Sequence, residues 1–524
     1  MNQRAILHVI AAVIGIPVLI TIGVWSATDP VYAGVSALIV LGTWVMTQLG
    51  QRCWLLIPFF TVFGGAMNVV PGHFSPRDIV IGLVAMILPA IWVVRRFPIR
   101  IRLGSIEIAL LGLIALLGQA YLRNPTGLSV FGSANIGGRT YFAVGVSIVA
   151  FLILSTMVVD LKRVKFMVIA SIAGSLTAVF YDVLLGVVPA LAVYGAAVYN
   201  SSGSSSAISE YLGLGPDPSQ GTGRMIYLKN YFRPITLFIL ANRSPMELLN
   251  PKNFLFLILL GSAGVSILLS GFRSGVAEFG LLIIAATLLH RKPIQLVFMG
   301  LVGAPLLAVI LLLQGSVVEI PLAAQRALSF LPADWNQRAV REAQGSSDWR
   351  FMMWEEALTS DEYIRNKWIG DGFGFTAREM AYQQELIIKG LSETDQQEYF
   401  LTVGDYHSGP IEVIKRIGYL GLLFLLIVMG IFFKAGVRVV NRARGTPYYP
   451  YAMFLALPLV IHPFYFIFVF GTLKGTLGLF LLGGGALRLL ENSFDVWVRQ
   501  RSHSAVRQRE QAGLLPAVGA RTPA

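Results

Sequence analysis

Hydrophobic and polar positions alternate along this chain in long blocks, not in short periods. Apolar runs fall near 5–26, 31–49, 53–70, 78–95, 104–121, 140–158, 164–184, 225–242, 253–270, 274–290, 293–314, 411–433, 449–470 and 473–490. A helix that crosses the hydrocarbon core of a bilayer needs about 20 apolar residues, so the pattern predicts about fourteen transmembrane helices. The run at 225–242 is the weakest, because Lys229 and Arg233 lie inside it. The fold class expected is all-α, a polytopic membrane helix bundle with a partly helical loop domain on its outer face.

The blocks also predict the organisation of the chain. Residues 1–314 hold spans one to eleven, with an outer loop near 185–224. Residues 315–410 form one large outer loop with helical stretches such as "DWRFMMWEEAL", residues 411–490 hold the last three spans, and 491–524 read as a disordered tail. The apolar run that follows Arg4 is longer than the 7–15 residues of a secretory signal, so it is expected to be a retained first span.

Charge sets the orientation. Only 13% of the residues are charged and 55% are apolar, with a formal net charge of +13. The mean hydropathy is +0.68. The basic residues concentrate in alternate loops: Arg95 to Arg102, Lys162 to Lys165, Arg243 and Lys252, Arg291 and Lys292, Lys434 to Arg444, and the tail. Loops rich in Lys and Arg stay in the cytoplasm. Both termini are then cytoplasmic, and the loops at 185–224 and 315–410 face outward. Because the basic residues sit in short inter-span loops, nucleic acid is not an expected partner. Cys53 is the only cysteine, and the six His are scattered without metal-ligand spacing, so neither a disulfide nor a protein-held metal is expected.

A few outer-face residues could do chemistry. In "LLSGFRSGVAEFG", Arg273 sits in a Ser-Gly turn between two spans, where a cation runs against the local charge rule. In "SSDWRFMMWEEAL", Arg350 lies between Trp349 and Trp354. In "GDYHSGPIEVIKRIGYLG", His407 follows Asp405 and Tyr406 and precedes Pro410, a residue suited to the first turn of a helix. His407 would hang at the mouth of a span, with Asp405 or a backbone carbonyl fixing its tautomer. Arg139 and Arg233 are further outward-side cations, and ionisable groups within apolar spans are functional candidates. "GDGFGF" imitates a phosphate loop, but no strand–turn–helix pattern surrounds it, so nucleotide binding is not expected.

Taken in order, "SGFRSG", "RFMMWEEAL" with "IGDGFGF", and "HSGPIEVIKRIGYLG" resemble the motifs of the O-antigen ligase and polymerase superfamily, across about 250–490. Ser408 stands where that family often has Asn, and Arg416 where it often has an acid. The resemblance implies a metal-independent glycosyltransferase of the bacterial inner membrane, without a cofactor. Such an enzyme moves a glycan from undecaprenyl diphosphate to an acceptor hydroxyl on the periplasmic side. The acceptor is another glycan or a lipid A core, and the site is bordered by membrane lipids. It further implies His407 as general base and Arg273 and Arg350 as the holders of the leaving diphosphate. Arg139, Arg233, Asp405, Trp349, Trp354 and Tyr406 then fall to substrate binding. The alternative from a different class is a transporter or flippase of lipid-linked oligosaccharide, which would favour mid-bilayer charges and repeated halves.

Overall fold

A computed structural model of the chain describes residues 23, 30–68, 74–95, 98–126, 137–201, 228–374, 379–381 and 396–511. These are overwhelmingly helical. The strand component is a two-residue antiparallel pair, Ala66–Met67 with Tyr199–Asn200. Among the described residues, nine helices are long and apolar enough to cross a membrane.

The helices run in chain order as α1 (Pro30–Leu49), α2 (Leu56–Phe60), α3 (Pro76–Arg95), α4 (Ser105–Arg123), α5 (Gly138–Thr156), α6 (Leu161–Val187), α7 (Pro189–Val198), α8 (Lys229–Asn242), α9 (Phe254–Leu269), α10 (Arg273–Leu289) and α11 (Ile294–Leu313). The loop domain contributes α12 (Leu322–Leu328), α13 (Gln337–Thr359) and α14 (Gln396–Val403). The chain then returns through α15 (Gly409–Ala443) and α16 (Tyr449–Phe468). It ends in α17 (Leu473–Gly478), a π turn (Leu479–Gly483) and α18 (Gly484–Gln511).

Several expected spans take a different form. The run at 53–70 does not cross as one helix. A 3₁₀ segment, Gly50–Leu55, leads into the short α2, and Gly64 and Gly65 then turn the chain. Gly65 has φ +87° and its Cα faces the carbonyl of Asn200, a position that excludes a side chain. At 225–242 the described helix has 14 residues, about 21 Å at 1.5 Å per residue, short of the ~30 Å core. The run at 274–290 forms a helix of 17 residues. Apart from Gly23, the span expected at 5–26 lies outside the described residues, as does most of the loop at 185–224, whose first part is the end of α6 followed by α7.

The tail expected to be disordered from 491 is a helix as far as Gln511. Its first turns are anchored. Glu491, Asn492, Ser493 and Phe494 are buried, and Asp495 accepts hydrogen bonds from Arg100 (3.1 Å) and Arg442 (2.8 Å) and pairs with Arg102. Close by, Arg488 grips Glu107 with two bonds of 2.6 Å and pairs with Glu491. These groups tie the basic loops together at one end of the bundle. The loops after α3, α5, α8, α10 and α15 all lie there, as the alternation of charge predicted. Arg100 N donates to Thr156 O, Arg444 donates to Leu289 O, and Lys292 donates to Ser244 Oγ.

The opposite end carries the loop domain, and its attachment is the most constrained part of the fold. α15 is broken at Gly418, which has φ 75° and ψ −179°. The break strands backbone groups that a continuous helix would pair internally. The segment "KWIGDG" lies against it and supplies the missing partners. Asp371 N donates to Lys415 O (2.6 Å) and Gly372 N to Arg416 O (3.0 Å), while Tyr419 N donates to Lys367 O (2.8 Å) and Leu420 N to Trp368 O (3.2 Å). The Gly-rich run is thus a splice for a broken helix. α4 and α5 hold the same segment from its other side. Arg123 Nη2 donates to Ile369 O and Gly370 O (2.8 and 2.7 Å), and Gly137 N donates to Phe373 O (2.6 Å).

A Cβ at Gly418 would lie 2.1 Å from Trp368 O. Gly418→Ala is therefore expected to destabilise the fold by roughly 1–3 kcal/mol or more, from strain plus collision. Gly430→Ala, on the same helix with no heavy atom within 4 Å, is expected to leave stability unchanged. Thermal unfolding of both purified variants in one detergent checks this, and equal midpoints would contradict it.

Candidate active site

The short arm of α15 before the break, 409–417, is buried almost throughout. It is wedged between the loop domain and the membrane helices, and its charged residues are satisfied internally. Arg416, fully buried, donates to Val403 O (2.7 Å) and Gly372 O (3.3 Å) and lies 3.5 Å from Glu412 Oε1. Lys415 donates to Thr402 O (2.9 Å) and pairs with Glu379 at 3.0 Å. Glu412 accepts a hydrogen bond from Leu473 N, which ties this arm to the start of α17. Carbonyls and carboxylates thus fix the residues just ahead of α15 from several directions.

His407 is held there in a left-handed backbone conformation, φ 53°. Few non-glycine residues adopt it, though His is among those that do so more readily. Neighbouring Gly404 has φ +75° and packs its Cα against the Lys415 side chain, so the turn 404–407 is imposed by what lies beneath it. The imidazole Nδ1 lies 3.0 Å from Asp405 O and 3.4 Å from Asp405 Oδ1. A carbonyl only accepts, so Nδ1 carries the proton and Nε2 keeps its lone pair. Three aromatic rings enclose the imidazole edge to face: Phe400 at 5.1 Å, Trp349 at 5.7 Å and Phe470 at 6.0 Å between centroids.

The two motif arginines reach the same place from other elements. Arg273 is the first residue of α10, and its Nη2 donates to Ala343 O (2.9 Å) and Ser347 Oγ (3.1 Å) of α13. Ser347 and Arg350 stand three residues apart, on one face of that helix. Burial and the nearby charge of Arg273 push the pKa of Arg350 below its ordinary value, and Asp405 acts in the opposite direction. The group stays cationic regardless, since guanidinium does not deprotonate in proteins. Arg350 Nε is buried and has no hydrogen-bond partner among the described residues, and the same holds for Trp349 Nε1. Buried donors of this kind are normally satisfied. Arg273, Arg350, Asp405, His407 and Trp349 thus gather at one end of the bundle.

The remaining sequence-derived candidates have other surroundings. Trp354 Nε1 donates to Tyr406 O (2.7 Å), a bond that positions the 404–407 turn. Tyr406 is fully buried among Met353, Ile364, Leu401 and Ile414. Its ring has no open face for a sugar, which corrects the expectation that it lines the binding groove; burial pushes its phenol far above the ordinary range. Arg233 pairs with Glu278 (3.0 Å) and is about half exposed. Arg139 donates to Gly65 O, and the charges of Arg77 and Asp78 bear on it. It belongs to the α3–α5 corner and not to the group around His407. Sequence reading missed Phe400, Phe470 and Ser347. Phe470 arrives from the turn between α16 and α17, which carries no signal linking it to His407. Ser347 was visible only through its helical spacing from Arg350.

A search of curated proteins gives no match. Residues 255–426, the stretch that carries Arg273, Arg350 and His407, match the protein-family model described as O-antigen ligase, and there the chain is similar to the O-antigen ligase and polymerase superfamily, as its ordered motifs led us to expect.

Proposed function

We propose that the chain is a membrane glycosyltransferase that moves a glycan from undecaprenyl diphosphate to an acceptor hydroxyl at the periplasmic face of the bacterial inner membrane, in the polymerisation or ligation of O-antigen or exopolysaccharide. The observation that carries this reading is the meeting of two arginines with an imidazole whose Nδ1 is held by Asp405 O and whose Nε2 has no hydrogen-bond partner among the described residues. An O-antigen ligase-type function follows at the coarser level from the family match.

The leaving group of such a reaction is a diphosphate, and its charge must be stabilised as the glycosidic bond breaks. Arginine suits this, because its planar fork binds phosphate oxygens in pairs and keeps its charge. Arg273 and Arg350 crowd two cations beside one another, a repulsion that an anion between them relieves. The Nε of Arg350, unpaired among the described residues, provides one donor for it. Charge presented in a partly buried site counts for more than in water. The acceptor oxygen attacks the anomeric carbon, and the bond to the diphosphate oxygen breaks with its electron pair. The acceptor proton passes to His407 Nε2, and Asp405 holds the resulting imidazolium in place. Direct displacement would invert the anomeric centre. Trp349, partly buried beside His407, offers a sugar an apolar surface, and Arg233, paired with Glu278, and Arg139, at the α3–α5 corner, are assigned to substrate binding. No step calls on a metal ion.

His407→Ala is expected to lower transfer by about 10²–10⁴-fold, the usual weight of a general base. Arg273→Ala is expected to abolish it, and both variants should insert and purify as the wild type does. A lipid-linked oligosaccharide assay in detergent measures this, and normal product from either variant would refute the assignment. Asp405→Asn keeps the backbone carbonyl contact and removes the carboxylate. It is expected to slow turnover by roughly 10-fold while leaving the donor KM unchanged, because it acts on the imidazolium formed in the transition state. A raised KM with unchanged kcat would assign Asp405 to binding instead.

A further inference from the structure

Outside the group around His407, the loop domain buries a further arginine, Arg326. It lies on α12, a helix of seven residues that packs against α9, α10 and α13. Its neighbour Gln325 is buried and bonded at both ends of its amide. Gln325 Nε2 donates to Ile320 O (2.8 Å), and its Oε1 accepts from the backbone N–H of Asn336 (2.8 Å), the N-cap of α13. α12 is thus fixed to the start of α13.

Arg326 Nη1 donates to Gly271 O (2.7 Å). Gly271 lies in the turn between α9 and α10, with φ 72°. Carbonyls at the end of a helix have no partner within it, and a guanidinium is a strong donor for one. The Nε edge of Arg326 lies 3.4 Å from Glu342 Oε2. Glu342 precedes Ala343, whose carbonyl accepts from Arg273 Nη2 (2.9 Å). These contacts close a ring. It runs from Gly271 along the chain to Arg273, across to Ala343, back one residue to Glu342, across to Arg326, and from there to Gly271.

Ala343, Ser347 and Arg350 follow one another at helical spacing on one face of α13. A ring that ties Arg273 to Ala343 therefore sets where Arg273 stands relative to Arg350. Without it, two things would draw Arg273 away. Its charge opposes that of Arg350, and a long side chain gains rotamer entropy when released. A site for a diphosphate binds better when its donors are fixed beforehand. Arg326 differs from both motif arginines, because it is buried and its charge is offset by Glu342 within the protein.

We propose that Arg326 and Glu342 are positioning residues, which lock the turn from Gly271 to Arg273 onto α13 and so hold Arg273 in register with Arg350 for the donor's diphosphate. The proposal rests on the donor reading above for what the ring serves, and not for the hold on the turn.

The double variant Arg326→Met/Glu342→Gln, made in the full chain and studied in detergent, tests it. Replacing a buried ion pair by uncharged side chains of similar size strands no charge, so the variant is expected to unfold near the wild-type temperature. Amide hydrogen exchange in the peptide covering 268–276 is expected to speed up by about 10-fold, as befits the loss of a charge-assisted bond. Calorimetric titration with farnesyl diphosphate is expected to show affinity about 10-fold weaker than that of the wild type. In an Arg273→Ala background the same two substitutions are expected to weaken it no further, because their effect passes through Arg273. Wild-type exchange in 268–276 would overturn the proposal. So would wild-type affinity in the double variant when Arg273→Ala weakens binding, or an equal loss in both backgrounds, which is the mark of a general structural role. If the wild type fails to bind farnesyl diphosphate, or Arg273→Ala binds it equally well, the donor reading fails and the exchange alone decides the hold on the turn. If the double variant does not fold, Arg326→Lys takes its place. Its ammonium keeps a charge beside Glu342 but lacks the fork that also reaches Gly271 O, and the same outcomes apply.

Discussion

The break in α15 is the constraint on which the outer half of the molecule depends. A helix interrupted at Gly418 loses internal hydrogen bonds inside a low-dielectric bundle, where each unsatisfied backbone group is costly. The segment from Lys367 to Gly372 restores them and is itself held by Arg123 and by Gly137. With that splice in place, the arm from Gly409 to Ile417 is fixed against the loop domain, and the turn bearing His407 is fixed above it. The loop domain is therefore not a lid resting on a bundle. It is joined into the course of a membrane helix.

The glycines of "IGDGFGF" and the buried cations of "VIKRIG" serve this joint together. Gly370 and Gly372 have φ of 73° and 74°, and the Cα of Gly370 abuts the Arg416–Ile417 peptide. Arg416 and Lys415 spend their charge on carbonyls and on Glu412 and Glu379. Removing one partner of such a buried pair leaves an uncompensated charge, which costs several kcal/mol. The same residues thus position the turn that bears His407 while their own side chains stay buried.

Much of this was legible in the sequence. The apolar blocks located most of the helices, because a span needs ~20 apolar residues whatever it packs against. The alternation of basic loops foresaw which loops share an end. Arg273 and His407 could be singled out because each is a polar residue near the boundary of an apolar run, and Arg350 because it lies between Trp349 and Trp354. What could not be read were features created by tertiary contact. Nothing local marks Lys415 and Arg416 as buried, since their partners come from residues 363, 372, 379, 402 and 403. The apolar run at 53–70 has the composition of a span, yet Gly64 and Gly65 turn it at a site fixed by Asn200. Polar residues after 490 look unstructured until Asp495 is seen to gather Arg100, Arg102 and Arg442.

Beyond the break, α15 continues from Tyr419 to Ala443, about 37 Å at ~1.5 Å per residue. Its apolar stretch ends at Lys434, and the last turns, with Arg438 and Arg442, run into the basic end of the bundle, where Arg442 donates to Asp495. The upper end cannot swing freely, because Tyr419 N and Leu420 N are bonded to Lys367 and Trp368. A displacement of this helix would load the spliced joint, and through it the turn that bears His407. One continuous helix thereby links the charged cluster around Asp495 to the His407 turn at the far end of the bundle.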